Sequence, residues 1–484
     1  MLGCFTVVSL LPLAAVPAPA QVSSPATGIA NYGTTPSASQ PAPPSPSQNP
    51  LAGSVPAKLE PGVLNISLAN AIERGLRQNL GALLSSEDIR SARGERWTQL
   101  SKLLPNVTTQ SVVADQQIDL ATLGFTGTLI PGIPAAIGPF SYFDSRAYLS
   151  QNLFNWKYIS QARSAKQSVH SAEYSYKNAR DLVVQAVGFV YLQGIADEAR
   201  IETAAAQVKT AQALYDQASD QLKAGTSPAI DALRARVELQ TRQQQLIQAR
   251  NDFAIQKLTV ARVIGLAPSQ QFDLTDKSLY APFSEFPLED ALKRAYASRQ
   301  DFQAALADVH AAEYSRKAAV AGYYPTLSFD ADYGAAGEHP STSSHGVFDV
   351  RGTLTIPIFQ GNSVHGDILK ADARLTQARE QLDNLRAQID ADVRTAYFNL
   401  QSSAEQVAVA QSNIGLADET LRQSSDRFAA GVTDTVEVVQ AQETVASAHE
   451  QYISSLYAYN YAKISLARAL GLAEEGVKEF FKGK

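Results

Sequence analysis

The sequence predicts a mainly helical chain with a β-barrel part, built from two copies of one helix–strand–strand–helix unit. Three observations predict it. The second half repeats landmarks of the first, long polar stretches carry apolar stripes at about 3.5-residue spacing, and short segments alternate apolar with polar residues.

The chain opens with an apolar run, Phe5 to Val16, with no Lys or Arg before it. Ala18-Pro19-Ala20-Gln21 then forms an A-x-A-like cleavage site, so residues 1–20 read as a signal peptide, too short to span a bilayer as a helix. Cys4, the only cysteine, lies inside that segment. The mature chain would therefore hold no thiol, which excludes disulfides, Cys-based zinc sites and Cys nucleophiles. Residues 21–63 are rich in Pro, Ser, Ala and Gly and read as a flexible lead-in. A formal charge of −6 without long basic runs argues against a nucleic-acid partner. No later segment reaches the ~18 consecutive apolar residues of a membrane helix.

The landmarks then recur. Leu103-Leu104-Pro105 corresponds to Tyr323-Tyr324-Pro325, Phe143-Asp144-Ser145-Arg146 to Phe348-Asp349-Val350-Arg351, and Leu153-Phe154 to Ile358-Phe359. Gly225 matches Gly431, and Ile264-Gly265-Leu266 matches Leu470-Gly471-Leu472, both 206 residues on. A period this long is a duplicated domain. The chain divides into a first repeat over 64–267, a linker over 268–287 that would form an equatorial belt, a second repeat over 288–472 and a tail over 473–484.

Each repeat reads helix, strand, loop, strand, very long helix, tight turn, helix. The first short helix is expected over Leu68 to Lys102, the long one from Trp156 to Lys223, and its return from Pro228 to Ile264. The long helix carries Ala165, Val169, Ala172, Tyr176, Ala179, Val183, Ala186 and Val190 on one stripe. Ala371, Leu375, Ala378, Leu382, Leu385, Ile389 and Ala396 repeat that stripe 206 residues later. Such spacing specifies a left-handed coiled-coil seam, and small Ala knobs allow close approach. A stripe alone fits a structural coiled coil as readily as a channel wall.

The strands alternate. Phe348, Val350, Leu354, Ile356 and Ile358 share one face, and Asp349, Arg351, Thr353 and Thr355 the other. Leu327, Phe329, Ala331 and Tyr333 likewise oppose Thr326, Ser328, Asp330 and Asp332. The strand after Pro105 is less regular, with Val107, Val113 and Asp115 on one face. Membrane β-barrels require such segments, and so do half-buried strands of a soluble sheet. Four strands cannot close a membrane barrel, and open edges cannot face lipid, so copies of the chain must complete it. Tyr142, Tyr148 and Tyr333 sit near strand ends and suit an aromatic girdle. Leu120 to Tyr142 reads as a long apolar outer loop and Ala336 to Gly346 as a short polar one.

With these residues in view, Leu64 to Leu472 resembles the TolC-like outer-membrane efflux proteins. The resemblance is carried by the two Leu/Tyr-Pro strand starts, Pro357-Ile358-Phe359-Gln360-Gly361, the tip run Arg427-Phe428-Ala429-Ala430-Gly431-Val432, and Val438-Val439-Gln440-Ala441-Gln442. It implies a homotrimeric, twelve-stranded barrel in the outer membrane, continued by a periplasmic α-helical tunnel. It also implies recruitment by an inner-membrane pump and its periplasmic adaptor, with no cofactor. The alternative is a structural periplasmic or surface coiled-coil trimer without pore activity.

Two turns carry the candidate sites. Gly225 suits the left-handed position after one helix, with Ser227 as cap and Pro228 at the first position of the next. Gly431 and Thr433 repeat the pattern. At minimum these are helical hairpins. The resemblance makes Gly225, Thr226, Ser227, Gly431, Val432 and Thr433 the adaptor-docking tips. It makes Asp231, Asp434, Glu437 and Gln440 the periplasmic constriction. Asp231 and Glu437 also suit any helix N-terminus. In the family pattern an acid stands where this chain has Gln440 and an Arg where it has Thr433, so that arginine latch and half the acidic ring are missing. A threefold ring of Glu437 would attract cations and resist its own ionisation.

No nucleotide-binding, hydrolase or metalloprotease motif occurs, and the six histidines show no ligand spacing. The chain reads as a duct, not an enzyme.

Overall fold

The computed structural model describes residues 53–120, 134, 136–277, 286–340, 343–474 and 476. The expected signal peptide, most of the lead-in, most of the first outer loop and nearly all of the tail lie outside the described residues.

The first repeat contains β1 (Leu64–Ile66), α1 (Leu68–Gln78), α2 (Leu80–Ser101), β2 (Asn106–Asp119), β3 (Ala136–Phe154), α3 (Trp156–Lys223) and α4 (Ala229–Ile264). After β4 (Phe272–Leu274) follow α5 (Leu288–Ser298), α6 (Gln300–Val320), β5 (Thr326–Gly337), β6 (His345–Thr355), α7 (Ser363–Ala429) and α8 (Thr435–Ala469). At 68 residues, α3 runs roughly 100 Å, and α4 returns along part of it. The heptad stripe accounts for both long helices. Ala165, Val169, Ala179, Val183 and Ala186 are buried on α3, and Ala371, Leu375, Leu382, Ile389 and Ala396 on α7.

The expected single helix over Leu68–Lys102 is two. Asn79 takes an extended conformation between α1 and α2, and its side chain accepts from Gly81 N at 2.9 Å. Arg299 makes the same break between α5 and α6. There the cause is tertiary, because buried Arg299 is held by Asp301 at 2.6 Å and by Asp392 of α7 at 3.0 Å.

Two cores flank these breaks. Ile66, Ile72, Val184, Tyr191, Ile264 and Phe272 belong to one, and Phe302, Ile389, Val393, Tyr459 and Leu466 to the other. The sequence missed β1 and β4, which pair in parallel with Leu64 opposite Phe272. Three residues are too few to show alternation. The linker also caps α1, since Asp276 Oδ2 accepts from Leu68 N at 2.7 Å. Part of the expected flexible lead-in is tied down as well. Val55 N donates to Gln78 O at 2.9 Å and Ala57 N to Gly265 O at 2.8 Å.

The larger sheet has the order β2-β3-β5-β6, antiparallel throughout. β3 begins at Ala136, so the stretch expected as loop up to Tyr142 is partly strand. Ala336, Gly337, His345 and Gly346 likewise belong to strands.

Candidate functional site: the hairpin tips and the two faces of the sheet

Pairing partners in a sheet share a face, so the register sorts every strand residue. Leu327 lies opposite Leu354, Ala331 opposite Val350 and Tyr333 opposite Phe348. Leu149 lies opposite Ala331 and also opposite Val107, while Val113 lies opposite Phe143. This apolar face is open in the single chain, with Phe348 75% and Val113 73% exposed. It needs a nonpolar surrounding.

The other face is polar and internally bonded. Arg146 lies 2.8 Å from Asp144 on its own strand and reaches Asp332 of β5 at 3.1 Å. Tyr142 donates to Asp144 at 2.6 Å, and Arg351 to Asp349 at 2.6 Å. Tyr142 and Tyr148 thus point with the charges, Tyr148 being opposite Asp332. Of the three tyrosines expected in an aromatic girdle, only Tyr333 is on the apolar face. Alternation places a side chain only when the register is known, and the first hairpin's sequence leaves the register loose.

At the far ends of the long helices, Gly225 and Gly431 adopt φ of 72° and 71°. The left-handed glycines are as expected, and each turn closes in a Schellman pattern. Thr226 N donates to Gln221 O at 3.0 Å, and Val432 N to Arg427 O at 3.0 Å. The N-caps differ from expectation. Pro228 itself occupies the N-cap of α4 without a side-chain bond, and Ser227 Oγ donates to Asp231 Oδ2 at 2.9 Å. In the second turn Asp434, not Thr433, caps α8 by accepting from Val436 N at 3.0 Å. Thr433 donates to Glu437 instead.

Leu214, Ala218, Ala235, Phe428 and Val438 form a small shared core, so the two tips lie side by side. The four candidate constriction residues then separate. Asp231 is buried and Glu437 half-buried, while Asp434 and Gln440 are exposed. Glu437 is held by Thr433 and by Arg427, whose Nη1 stands 3.2 Å from Oε1. The sequence reading missed this arginine as a partner. It sits in the last turn of α7, where a cation also complements the helix C-terminus, and the turn's geometry alone brings it across.

Above the tips an open groove of about 440 Å³ runs between α4 and α8 over α3, with Gln207, Arg242, Gln248 and Ile453 on its walls. Both of its arginines are partnered. Arg242 pairs with buried Glu238 at 2.5 Å, and Arg200 bridges α3 to Glu450 of α8 at 2.8 Å. Among the described residues no group of acids, histidines and cysteines has the arrangement of a metal site. No described helix is long and apolar enough to cross a membrane.

Comparison with known proteins agrees with this geometry. The profile of the family described as outer membrane efflux protein matches residues 88–266 and 291–472, one match in each repeat. Outer membrane protein TolC of Escherichia coli is 24% identical over 283 residues, covering 54% of this chain and 57% of TolC. The pyoverdine export outer membrane protein OpmQ of Pseudomonas aeruginosa is 24% identical over 417 residues, covering 84% of this chain and 85% of OpmQ. The crystal structure of the CmeC outer membrane channel of Campylobacter jejuni superposes with a TM-score of 0.72 at 16% identity, covering 86% of this chain and 89% of CmeC. A sheet with one apolar and one polar face and paired long hairpins thus coincide with a profile match over most of the chain, and the chain belongs to the outer membrane efflux protein family.

Proposed function

We propose that this outer-membrane efflux channel works as a homotrimeric, passive exit duct of a tripartite efflux or type I secretion system. Three sheets close a twelve-stranded barrel in the outer membrane, and the α3–α4 and α7–α8 hairpins continue it as a periplasmic tunnel. The tips at Gly225, Thr226, Ser227, Gly431, Val432 and Thr433 meet a periplasmic adaptor, which couples the duct to an inner-membrane pump. Glu437, Asp434 and Gln440 border the constriction, with Asp231 bracing the tip from inside. Energy comes from the pump, because the duct offers a path and no chemistry.

One observation carries this reading: a four-stranded sheet with an exposed apolar face and two edges, β2 and β6, that no strand among the described residues pairs. Lipid can cover the face, but it cannot satisfy the edges' backbone groups, which leaves strands of sibling chains to do so. The same face argues against a structural coiled coil bearing a soluble β domain. The purified protein is expected to migrate as a heat-dissociable trimer and to conduct ions in planar bilayers. A water-soluble monomer without conductance would overturn the proposal.

A further inference from the structure

Between α3 and α8, beside the linker residues Asp276 and Lys277, lies a cavity of about 260 Å³. Leu192, Ile195, Ile453 and Leu456 make its wall largely apolar, and Tyr452 and Tyr457 add aromatic rings.

Three polar side chains interrupt that wall. Asn460 of α8 is 3% exposed, and its buried Oδ1 accepts no hydrogen bond. A buried acceptor without a donor destabilises a fold unless something supplies one. Glu198 and Glu202 stand one helical turn apart on α3, where like charges repel, and neither makes an ion pair among the described residues. Burial first, and then Glu202, pushes the half-buried Glu198 carboxyl up, and the Lys277 ammonium offsets only part of this. The remaining ionisable groups on the wall have partners. Asp276 accepts from Leu68 N at 2.7 Å and from Tyr191 at 2.8 Å, and His449 stands 4.0 Å from Asp418 of α7.

The duplication shows that helix packing does not require this trio. At the offset of 206 positions Glu198 corresponds to Ala404, Glu202 to Ala408 and Asn460 to Ala254. Alanine serves at all three equivalent places, so the polar groups are an addition made at this cavity.

We propose that the cavity is a binding site for a small organic ammonium ion, an apolar body of one or two rings carrying a protonated primary or secondary amine. An N–H of the amine donates to Asn460 Oδ1, its charge lies towards Glu198 and Glu202, and the body fills the apolar part. An anion would meet the two acids, and a bare metal ion would meet a mostly apolar wall. The continuation of the linker, Ser278 to Glu285, carries apolar side chains but no cation, so it cannot neutralise the acids. The site goes beyond the duct reading and does not depend on it. A bound amine would bridge the linker to α3 and α8 within one chain.

Equilibrium dialysis of the full chain in phosphatidylcholine nanodiscs, against empty nanodiscs, tests the site with naphthylmethylammonium. Neutral naphthylmethanol and the trimethylated ammonium ion serve as comparisons. The ammonium ion should bind saturably, one per chain, and about tenfold more tightly than either, because the alcohol lacks the charge and the trimethylated ion lacks an N–H. Glu198→Gln with Glu202→Gln should weaken the ammonium ion about tenfold and leave the alcohol unchanged. Asn460→Ala should weaken both of these and spare the trimethylated ion. Unaltered circular dichroism shows that a variant folds, and if Asn460→Ala does not, the double Gln variant decides. Absent saturation, equal binding of ammonium ion and alcohol, or undiminished affinity in the folded double Gln variant overturns the proposal. Saturable binding seen only in Leu279→Ser with Phe283→Ser makes the linker itself the occupant and overturns it too. Each of these results leaves the duct reading standing, because conductance tests that separately.

Discussion

Arg427, in the last turn of α7, reaches across the turn to Glu437 of α8, Nη1 to Oε1 at 3.2 Å. The acid proposed to border the constriction is thus partly neutralised by its own chain. Replacing Arg427 with Ala should free three carboxylates in a trimer and raise cation preference severalfold at ~0.1 M salt, with the gain collapsing near ~1 M. Glu437→Gln should remove the gain in the double variant. Reversal potentials in planar bilayers measure this, and an unchanged selectivity in Arg427→Ala would remove Glu437 from the pore.

The turn glycines carry a different expectation. With φ of 71°, Gly431 occupies a backbone region that costs an L-residue about 1–2 kcal/mol. Gly431→Val should loosen the α7–α8 tip locally, visible as faster proteolysis near Val432. The heat-dissociation temperature of the proposed trimer should hardly move, because the four-stranded sheet and both larger cores lie elsewhere.

The two sheet faces should respond oppositely to charge. Val350→Arg places a guanidinium on the lipid side and should cost ~2–4 kcal/mol if it lies near the bilayer midplane. Thr353→Lys, on the polar side, should be tolerated. Comparing the heat-dissociable trimer recovered from outer membranes checks both. Equal recovery would mean that the apolar face does not meet lipid.

Lys463, on α8 near the breaks, is almost fully buried against Tyr459, and burial pushes its ammonium down to about 8. Its charged form is disfavoured in the fold, so the unfolded chain binds more protons between about 8 and the free-lysine value of 10.5. Stability from this group therefore rises with pH across that window, by on the order of 3 kcal/mol at most. Lys463→Met should dissociate at a higher temperature than the wild type at neutral pH, and the difference should shrink as pH climbs through the window. A constant difference would show that Lys463 does not titrate there.

Much of this architecture was written in residue spacing. Ala165 to Val190 fixed the inner face of α3 because a heptad stripe has one solution over so many turns. Phe348 to Leu354 set the faces of β6 because alternation survives any shift by two, whereas Ile356 and Ile358, expected on the same face, lie beyond the strand's end at Thr355. What escaped depended on distant partners. The break at Arg299 is held by Asp392 on α7 as well as by neighbouring Asp301, and the distant partner is not legible in the spacing, whereas the break at Asn79 has a local cap signal that a continuous helical reading overrode. Thr433 and Ser227 looked like caps but give their hydroxyls to acids four residues on, which a cap rule does not weigh. Arg427 was visible as a helix-terminal cation, yet its aim across the turn depended on the fold.

The placement of α6 between α3 and α7 has a practical outcome. The two repeats grip one another through side chains and strand hydrogen bonds as well as through the peptide that joins them. A protease cut within 278–285 should therefore leave the two repeats associated, so that the proposed trimer would persist as six polypeptides. Halves produced from separate messages and exported together should find each other and open the same route out of the cell.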